Sequence, residues 1–263
     1  MGRGRITKEE QAYRIRMLLR FIFIFRYATR EQLISFAQER LKLSYQRWLI
    51  EHSFKQGFIN TYHEPDLNLK VYYLTQKGKR FISSYETFGP YYRFDHRHTG
   101  LNTFEHQKAV VESYFLLYKL LDIKQWIPEW VLKADGRPRV KIPDGVIVLS
   151  DETKIALETE TWYKDRGTWK VVVAKYYREI SYTTPKYSRY HAVLVIAYSE
   201  FNYDGIKERL FRISPEFSKK AFMLTDLVLL ERGECFYQDE VRQIKEAIDL
   251  AKKAFHPTTP TNE

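Results

Sequence analysis

The sequence has little cysteine and no long hydrophobic run. Cys235 is the one cysteine among 263 residues, so no disulfide framework can form within the chain. The apolar stretch from Leu18 to Phe25 is interrupted by Arg20 and falls far short of the roughly 20 residues needed to span a bilayer. No cleavable signal pattern precedes it. These absences argue against a disulfide scaffold and predict a cytoplasmic protein with no membrane partner.

The composition is that of a folded protein with an uneven charge distribution. Hydrophobic residues make up 44% and aromatic residues 16% of the chain, and its length suits two domains. Residues 1–84 contain 16 Lys and Arg against 7 Asp and Glu, whereas the remainder contains 27 against 26. A basic first third favours binding to phosphate groups, although a solvated basic surface would have the same composition.

The first third alternates helical and strand patterns. Apolar periodicity predicts a helix from Lys8 to Phe25, and Thr29 is a typical N-cap for a second one. A third helix is predicted from Ser44 to just before Gly57. Two strands, 58–63 and 70–75, are separated by a polar turn and followed by a helix over 76–85. This order, with the segment LTQKGKRFI after the second strand, resembles a winged helix-turn-helix.

The third helix is the predicted recognition helix. Helix-turn-helix proteins read the major groove mainly with the first turn of that helix, which here offers Tyr45, Gln46 and Arg47. Arg and Gln pair with guanine and adenine edges respectively. Lys70, on the predicted wing, is placed to meet a phosphate. A winged helix used only for protein contacts remains the alternative.

An aromatic segment with several histidines separates the two predicted domains. The predicted boundaries are a winged-helix domain over 1–86, a connection over 87–102, a second domain over 103–255 and a disordered tail over 256–263. Zinc bound by His96, His98 and His106 would need a fourth ligand, and Cys235 is not a persuasive one. We therefore interpret them as solvated or hydrogen-bonded histidines.

The second domain has the predicted order helix, three strands, helix, strand. The helices are predicted over 103–121 and 165–182, and the strands over 126–133, 140–149, 154–160 and 192–198. This αβββαβ order is that of restriction-endonuclease-like nucleases. The expected fold class is therefore α+β, with a winged helix-turn-helix followed by an α/β nuclease-like domain.

Two short motifs within this order, IPDGVIVL and KIALETE, resemble the PD-(D/E)XK signature. Pro143-Asp144 matches PD, and Glu158-Thr159-Glu160 matches the second element with Glu160 in the usual lysine position. The resemblance implies catalytic roles for Asp144, Glu158 and Glu160. It also implies that Lys164 supplies the missing ammonium group and that Glu112 is the further acidic residue found in many members.

Strand geometry supports a carboxylate cluster independently. Side chains alternate along a strand, so Glu158 and Glu160 share one face, and a hairpin placing Asp144 opposite either one adds a third carboxylate. The other face carries the apolar set Ile147, Leu149, Ile155 and Leu157. Three clustered carboxylates repel one another, and Mg²⁺ or Mn²⁺ bound by Asp144, Glu158 and Glu160 would relieve that repulsion. The alternative is a solvated sheet face whose acids pair with lysines.

The whole pattern resembles the replication–relaxation family, in particular MobC-type relaxases of mobile elements. The residues that carry the resemblance are RYATREQL, YYLTQKGK, His106 with Glu112, Trp126 with Pro128-Glu129, and PDG followed by ALETE. The resemblance implies recognition of a double-stranded transfer or replication origin, metal-dependent nicking of one strand, and accessory mobilisation or coupling proteins as partners. Two alternatives stay open: a non-catalytic regulator of replication or transcription, and a double-strand endonuclease.

Overall fold

The protein divides into two compact units, residues 1–107 and 108–263. The structure is a computed structural model that describes residues 7–43, 46–86, 92–95, 100–134, 141–162, 164–180, 189–198 and 200–255. Among the helices in these ranges, none combines the length and apolar character needed to cross a bilayer. The fold is mixed α+β, as the sequence predicts.

The first unit is helical with a small antiparallel sheet. Its elements are α1 (Lys8–Phe25), β1 (Ala28–Thr29), α2 (Arg30–Glu39), α3 (Gln46–Lys55), β2 (Ile59–Glu64), β3 (Leu69–Leu74) and α4 (Gln76–Ser83). The strands lie in the order β1-β3-β2. The predicted helices and the hairpin are confirmed to within one or two residues at the described ends.

Local sequence explains where the helices of this unit begin. The Thr7 side chain accepts a hydrogen bond from the Glu10 amide at the start of α1. Thr29 and Gln32 form a reciprocal capping box at the start of α2, which satisfies two backbone donors. Both helices then bury apolar side chains, among them Leu18 and Leu33, which have no exposed surface.

Glycine is required by the backbone at two places, the turn after α3 and the first turn of α4. Gly57 has φ +69° in the turn after α3, the left-handed conformation that glycine adopts without strain. Gly78, in α4, approaches the backbone of Phe58 so closely that a Cβ would lie 2.1 Å from the Phe58 carbonyl oxygen. Thr75 caps α4 and also donates to the Gly57 carbonyl oxygen at 2.6 Å. The first turn of α4 therefore packs directly against the backbone at the start of the hairpin.

Part of the predicted inter-domain connection belongs to the first unit. Tyr92 is buried, its hydroxyl accepts a hydrogen bond from the Leu74 amide at 3.0 Å, and it donates to the Arg26 carbonyl oxygen. The ring of Phe94 stacks on Tyr73 with 4.2 Å between centroids. Residues 92–95 therefore cover strand β3, although the remainder of the connection up to residue 99 lies outside the described residues.

The second unit is built on a seven-stranded mixed sheet. The first elements are α5 (Leu101–Leu120), which belongs to this unit from Lys108 onward, β4 (Ile123–Pro128), α6 (Glu129–Ala134), β5 (Gly145–Leu149), β6 (Lys154–Glu160), α7 (Arg166–Ile180) and β7 (Ala192–Ala197). There follow α8 (Glu200–Arg212), α9 (Pro215–Ala221), β8 (Phe222–Asp226), α10 (Leu227–Glu231), β9 (Glu234–Tyr237), β10 (Glu240–Gln243) and α11 (Ile244–Phe255).

The strands lie side by side in the order β10-β9-β8-β7-β6-β5-β4. Strands β4, β5 and β6 pair antiparallel, whereas β6, β7 and β8 run parallel. Strand β7 is buried along its whole length, as expected for a central parallel strand covered on both faces. Helix α7 buries Trp169, Tyr176 and Ile180 against one face of the sheet.

The strand predicted over 126–133 is wrong in its second half. Strand β4 ends at Pro128, and Glu129 begins the short helix α6, which buries Trp130 and Val131. The Glu129 amide donates to the Asp144 carbonyl oxygen at 3.2 Å, so the chain turns away where β4 meets the start of β5. Apolar residues in a short run fit a strand or a helical turn equally, and tertiary contacts decided here.

Candidate functional site

The proposed recognition helix places its polar residues at different exposures. Arg47 is exposed on α3, while Gln46 is half-buried and its amide nitrogen donates to the Leu43 carbonyl oxygen. Tyr45 lies outside the described residues. One N–H of the Gln46 amide is therefore engaged in a local hydrogen bond, and only that N–H would have to break its bond to contact a base.

The hairpin beside α3 carries a further exposed cation. Lys70 on β3 is exposed, pairs across the strands with His63 and lies 6.0 Å from the centre of the Tyr72 ring. Leu49 is buried, and the half-buried Trp48 stacks on His52. The first unit therefore presents Arg47 and Lys70 to solvent from two different elements.

In the second unit, strand register brings Asp144 beside the glutamates of β6. Gly145 pairs with Leu157, and the Asp144 amide donates to the Leu157 carbonyl oxygen at 2.9 Å. Continuing this register places Asp144 opposite Glu158. The Thr159 amide donates to Asp144 Oδ2 at 2.7 Å, which fixes the carboxylate at the end of the hairpin.

Glu158 is the most enclosed member of the cluster, with 1% of its surface exposed. Lys141 Nζ lies 2.7 Å from its carboxylate, and the Tyr176 hydroxyl donates to the same oxygen. Burial raises the pKa of Glu158 to about 7, against the lowering effect of Lys141, and the nearby Asp144 raises it further. Burial and the Glu158 charge also raise the pKa of Tyr176, which keeps its proton for this bond.

Glu160 forms a second lysine–carboxylate pair one step along the same strand. It is 3% exposed and forms an ion pair with Lys164, four residues later. Burial raises the pKa of Glu160, while Lys164 opposes the shift. Lys164 Nζ also lies 5.6 Å from the centre of the Trp169 ring. The predicted association of Lys164 with this site is therefore present as a direct contact.

Glu112, on α5, also lies at this end of the sheet and is connected to it through Tyr198. The Tyr198 hydroxyl donates to its carboxylate at 2.8 Å, and the Tyr198 amide donates to the Glu160 carbonyl oxygen at 3.0 Å. Glu112 is half-buried. Tyr198 thus links Glu112 to the backbone of the carboxylate strand.

The carboxylates fit a hard divalent cation by the type of their ligand atoms. Mg²⁺ and Mn²⁺ prefer oxygen ligands, and these carboxylates offer oxygen atoms from two adjacent strands. Across the described part of the chain, however, no three His, Cys, Asp or Glu residues come close enough together to hold a metal ion. Lysine ammonium groups, from Lys141 and Lys164, contact Glu158 and Glu160 instead. Binding of a metal ion by these carboxylates would therefore require the ammonium groups to move away and the carboxylates to come closer together.

Sequence reasoning missed Lys141 and Tyr176. Lys141 stands three residues before Asp144, a position for which the sequence shows no pattern. Tyr176 belongs to the stripe of α7 that also buries Trp169, Val172 and Ile180, and this helical periodicity could have identified it as facing the sheet. The expected apolar face of the hairpin is confirmed for Ile147, Ile155 and Leu157.

The sheet face that bears the carboxylates is also buried. Neither of the two sequence-based interpretations, a metal-binding cluster or a solvated face with lysine pairs, describes it fully. Val146, Val148 and Ala156 share that face and pack into the core with α7. The lysine pairs expected on a solvated face are present, but they lie within a largely apolar surrounding. Comparisons of the chain with family models, with curated proteins and with solved structures found no match.

Proposed function

We propose that this protein binds a DNA origin through its first unit and nicks one strand at the Asp144–Glu158–Glu160 cluster in a metal-dependent reaction. The observation that carries the proposal is the register of β5 and β6, with the Thr159 amide bound to Asp144 beside Glu158. Acids at the ends of two adjacent strands, with a lysine alongside, are the constellation that hydrolyses phosphodiesters in PD-(D/E)XK nucleases.

The order of elements supports the nuclease assignment. Helix α5 is followed by the antiparallel strands β4, β5 and β6, then by α7 and the parallel strand β7. Apart from the short α6, this is the αβββαβ order of restriction-endonuclease-like proteins. Asp144 precedes the second strand and Glu158 lies on the third, as the motif requires. Likeness of order alone does not imply activity, so the proposal rests on the carboxylate cluster.

Recognition of duplex DNA is assigned to the first unit. Three helices and a hairpin have the order of a winged helix, and the basic excess of the chain lies in residues 1–84. Arg47 on α3 and Lys70 on the hairpin are exposed cations on the two elements that a winged helix applies to DNA.

In the proposed reaction Asp144, Glu158 and Glu160 would hold Mg²⁺ or Mn²⁺. A bound divalent ion polarises a phosphate oxygen and lowers the pKa of water. Lys164, released from Glu160, provides positive charge for the phosphate as negative charge develops in the transition state. Lys141, released from Glu158, would provide positive charge for the phosphate in the same way. Tyr176 holds the Glu158 carboxylate in place through its hydroxyl.

Nicking of supercoiled plasmids that carry candidate origins tests the proposal. Full-length protein with Mg²⁺ or Mn²⁺ should convert supercoiled DNA to the open circular form, and EDTA should prevent it. Linear product would instead indicate a double-strand endonuclease. No cleavage with either metal, at protein concentrations that bind the plasmid, would contradict the enzymatic proposal.

A second candidate function is a non-catalytic DNA-binding regulator. The observation in its favour is that Glu158 and Glu160 are buried and already neutralised by Lys141 and Lys164. Paired in this way, the cluster needs no metal for its charge balance. Such a protein would bind the same DNA with equal affinity in EDTA and in Mg²⁺, and would leave supercoiled DNA intact.

A further inference from the structure

A basic groove lies on the outer side of α7, where it meets the end of α8. The groove has a volume of about 580 Å³, within the roughly 300–1,000 Å³ range of ligand sites. Four cationic side chains line it, and this set is called the basic groove below: Arg166, Lys170, Arg178 and Arg212. It lies in a part of the chain whose overall charge is nearly balanced, so the positive charge is locally concentrated.

The cations of α7 fall on one stripe of the helix. Arg166, Lys170 and Ala174 are spaced by four residues, and Tyr177 and Arg178 continue the stripe by one turn. Tyr176 points the other way, into the core, where it contacts Glu158. The basic groove therefore faces away from the carboxylate cluster and forms a separate site.

Most of these charges are available to a ligand. Lys170 and Arg178 are exposed and form no ion pair with any residue in the described ranges. The same holds for Arg166. Arg212 pairs with Glu208 at 2.8 Å, but 72% of its side chain is exposed. Like charges brought together are unfavourable where they have no acidic partner, as at Arg166, Lys170 and Arg178, and a bound polyanion would relieve that repulsion.

The floor of the basic groove is apolar and includes an exposed aromatic ring. Val173 and Ile213 are buried beneath it, and Ala174 leaves room between the cations. Tyr177 is 53% exposed, and its ring is held by an edge contact with Phe217 at 4.9 Å between centroids. A fixed, exposed ring among cations is the arrangement on which nucleic-acid bases stack.

We propose that the basic groove binds single-stranded DNA, with phosphates at its four cations and a base stacked on Tyr177. A duplex keeps its bases inside, so it has nothing to place on an apolar floor, whereas a single strand offers both charge and base faces. The inference rests on the proposed function, because melting or nicking of an origin exposes a single strand for the protein to hold.

Fluorescence anisotropy of full-length protein in EDTA measures this without cleavage. The probes are a labelled oligothymidylate of about 20 nucleotides and a labelled duplex of the same length. Lys170→Glu should weaken single-strand binding about tenfold at low salt and reduce its salt dependence. The matched control is Lys245→Glu, which makes the same charge change at an exposed position on α11 and should change affinity less than about twofold.

Substitution of the aromatic ring separates stacking from charge. Tyr177→Ala should weaken oligothymidylate binding by about 5- to 150-fold, while Tyr177→Phe should retain it. Thermal unfolding of each variant identifies any loss that comes from the contact with Phe217. If Lys170→Glu and Lys245→Glu bind alike, or if duplex affinity falls as much as single-strand affinity, the proposal is overturned.

The same variants distinguish this inference from the proposed function. If the wild-type protein nicks no plasmid but Lys170→Glu loses oligothymidylate binding, the result supports the groove proposal and contradicts the nuclease proposal. If the wild-type protein nicks plasmid and both Tyr177→Ala and Lys170→Glu bind oligothymidylate as tightly as it does, the result contradicts only the groove proposal.

Discussion

Lys141 Nζ lies 2.7 Å from the carboxylate of Glu158, and both groups are largely removed from solvent. A buried carboxylate without a partner is costly, so this lysine, together with Tyr176, is what allows Glu158 to lie in the core. Burial lowers the pKa of Lys141, but the Glu158 carboxylate, with smaller contributions from Asp144 and Glu160, outweighs this effect and leaves the pKa of Lys141 raised. The proposed catalytic cluster is therefore also part of the core.

Isosteric removal of charge should separate cleavage from binding. Asp144→Asn and Glu158→Gln each keep the shape of the side chain and remove one negative charge. Both should abolish nicking of supercoiled plasmid, because fewer anionic ligands remain for a divalent ion, and origin binding should stay nearly unchanged. Nicking and gel-shift assays run in parallel measure the two effects. Wild-type nicking by both variants would contradict the metal-nuclease proposal.

The stability of the protein should depend on pH through Glu158. Its pKa is raised to about 7 in the folded protein from an ordinary 4.5, so its contribution is full below pH 4.5 and is lost as pH rises through 7. Asp151 acts in the opposite sense, but its pKa is lowered to about 2 and its window lies below pH 4.

Urea denaturation in EDTA at pH 5 and pH 8 measures this effect. Between these values, the free energy of unfolding of the wild type should fall by up to about 3 kcal/mol relative to Glu158→Gln. Because the other groups titrate in both proteins, their contribution cancels in the difference between the two free energies of unfolding. Parallel curves for wild type and variant across this range would show that Glu158 does not titrate there.

Gly78 should be intolerant of substitution. A Cβ at this position would lie 2.1 Å from the Phe58 carbonyl oxygen, a backbone atom that cannot move aside cheaply. Gly78→Ala should lower the stability of the first unit by about 1–3 kcal/mol and weaken DNA binding at elevated temperature. Gly100→Ala, where a Cβ meets nothing within 4 Å, is the matched control. Equal thermal midpoints for the two variants would contradict the close approach.

A fragment of residues 1–107 should bind duplex DNA in a salt-sensitive manner. It carries the basic excess of the chain and forms a compact unit. A fragment of residues 1–84 should unfold at lower temperature, because it lacks Tyr92 and its hydrogen bonds to Leu74 and Arg26. Anisotropy and thermal unfolding measure both properties. No duplex affinity for residues 1–107 at low salt would contradict the assignment of recognition to this unit.

Arg47→Ala tests the proposed recognition of DNA by the first unit. If Arg47 contacts a base, this substitution should weaken specific binding more than non-specific binding, by about 1–3 kcal/mol. Competition between origin and random duplexes measures the difference. A uniform loss across sequences would instead identify Arg47 as a phosphate contact.

The helices of the first unit, its hairpin and the shared face of the carboxylates could be predicted from the sequence. Thr29 and Gln32 specify a helix start by local hydrogen bonds, and Gly57 specifies a turn by its backbone freedom. Alternation along β6 placed Glu158 and Glu160 on one face, and a hairpin that sets Asp144 opposite either of them adds Asp144 to that face. Each of these features depends on neighbours in sequence or on strand periodicity alone.

The residues that surround those carboxylates depend on contacts that form only in the folded protein. Lys141 reaches Glu158 only after β5 and β6 have paired, and Tyr176 reaches it only after α7 has folded back over the sheet. Glu129 begins a helix instead of continuing a strand because the chain turns at the start of β5. Burial and partner choice depend on contacts between residues distant in sequence, and the periodicity of a single segment contains no information about them.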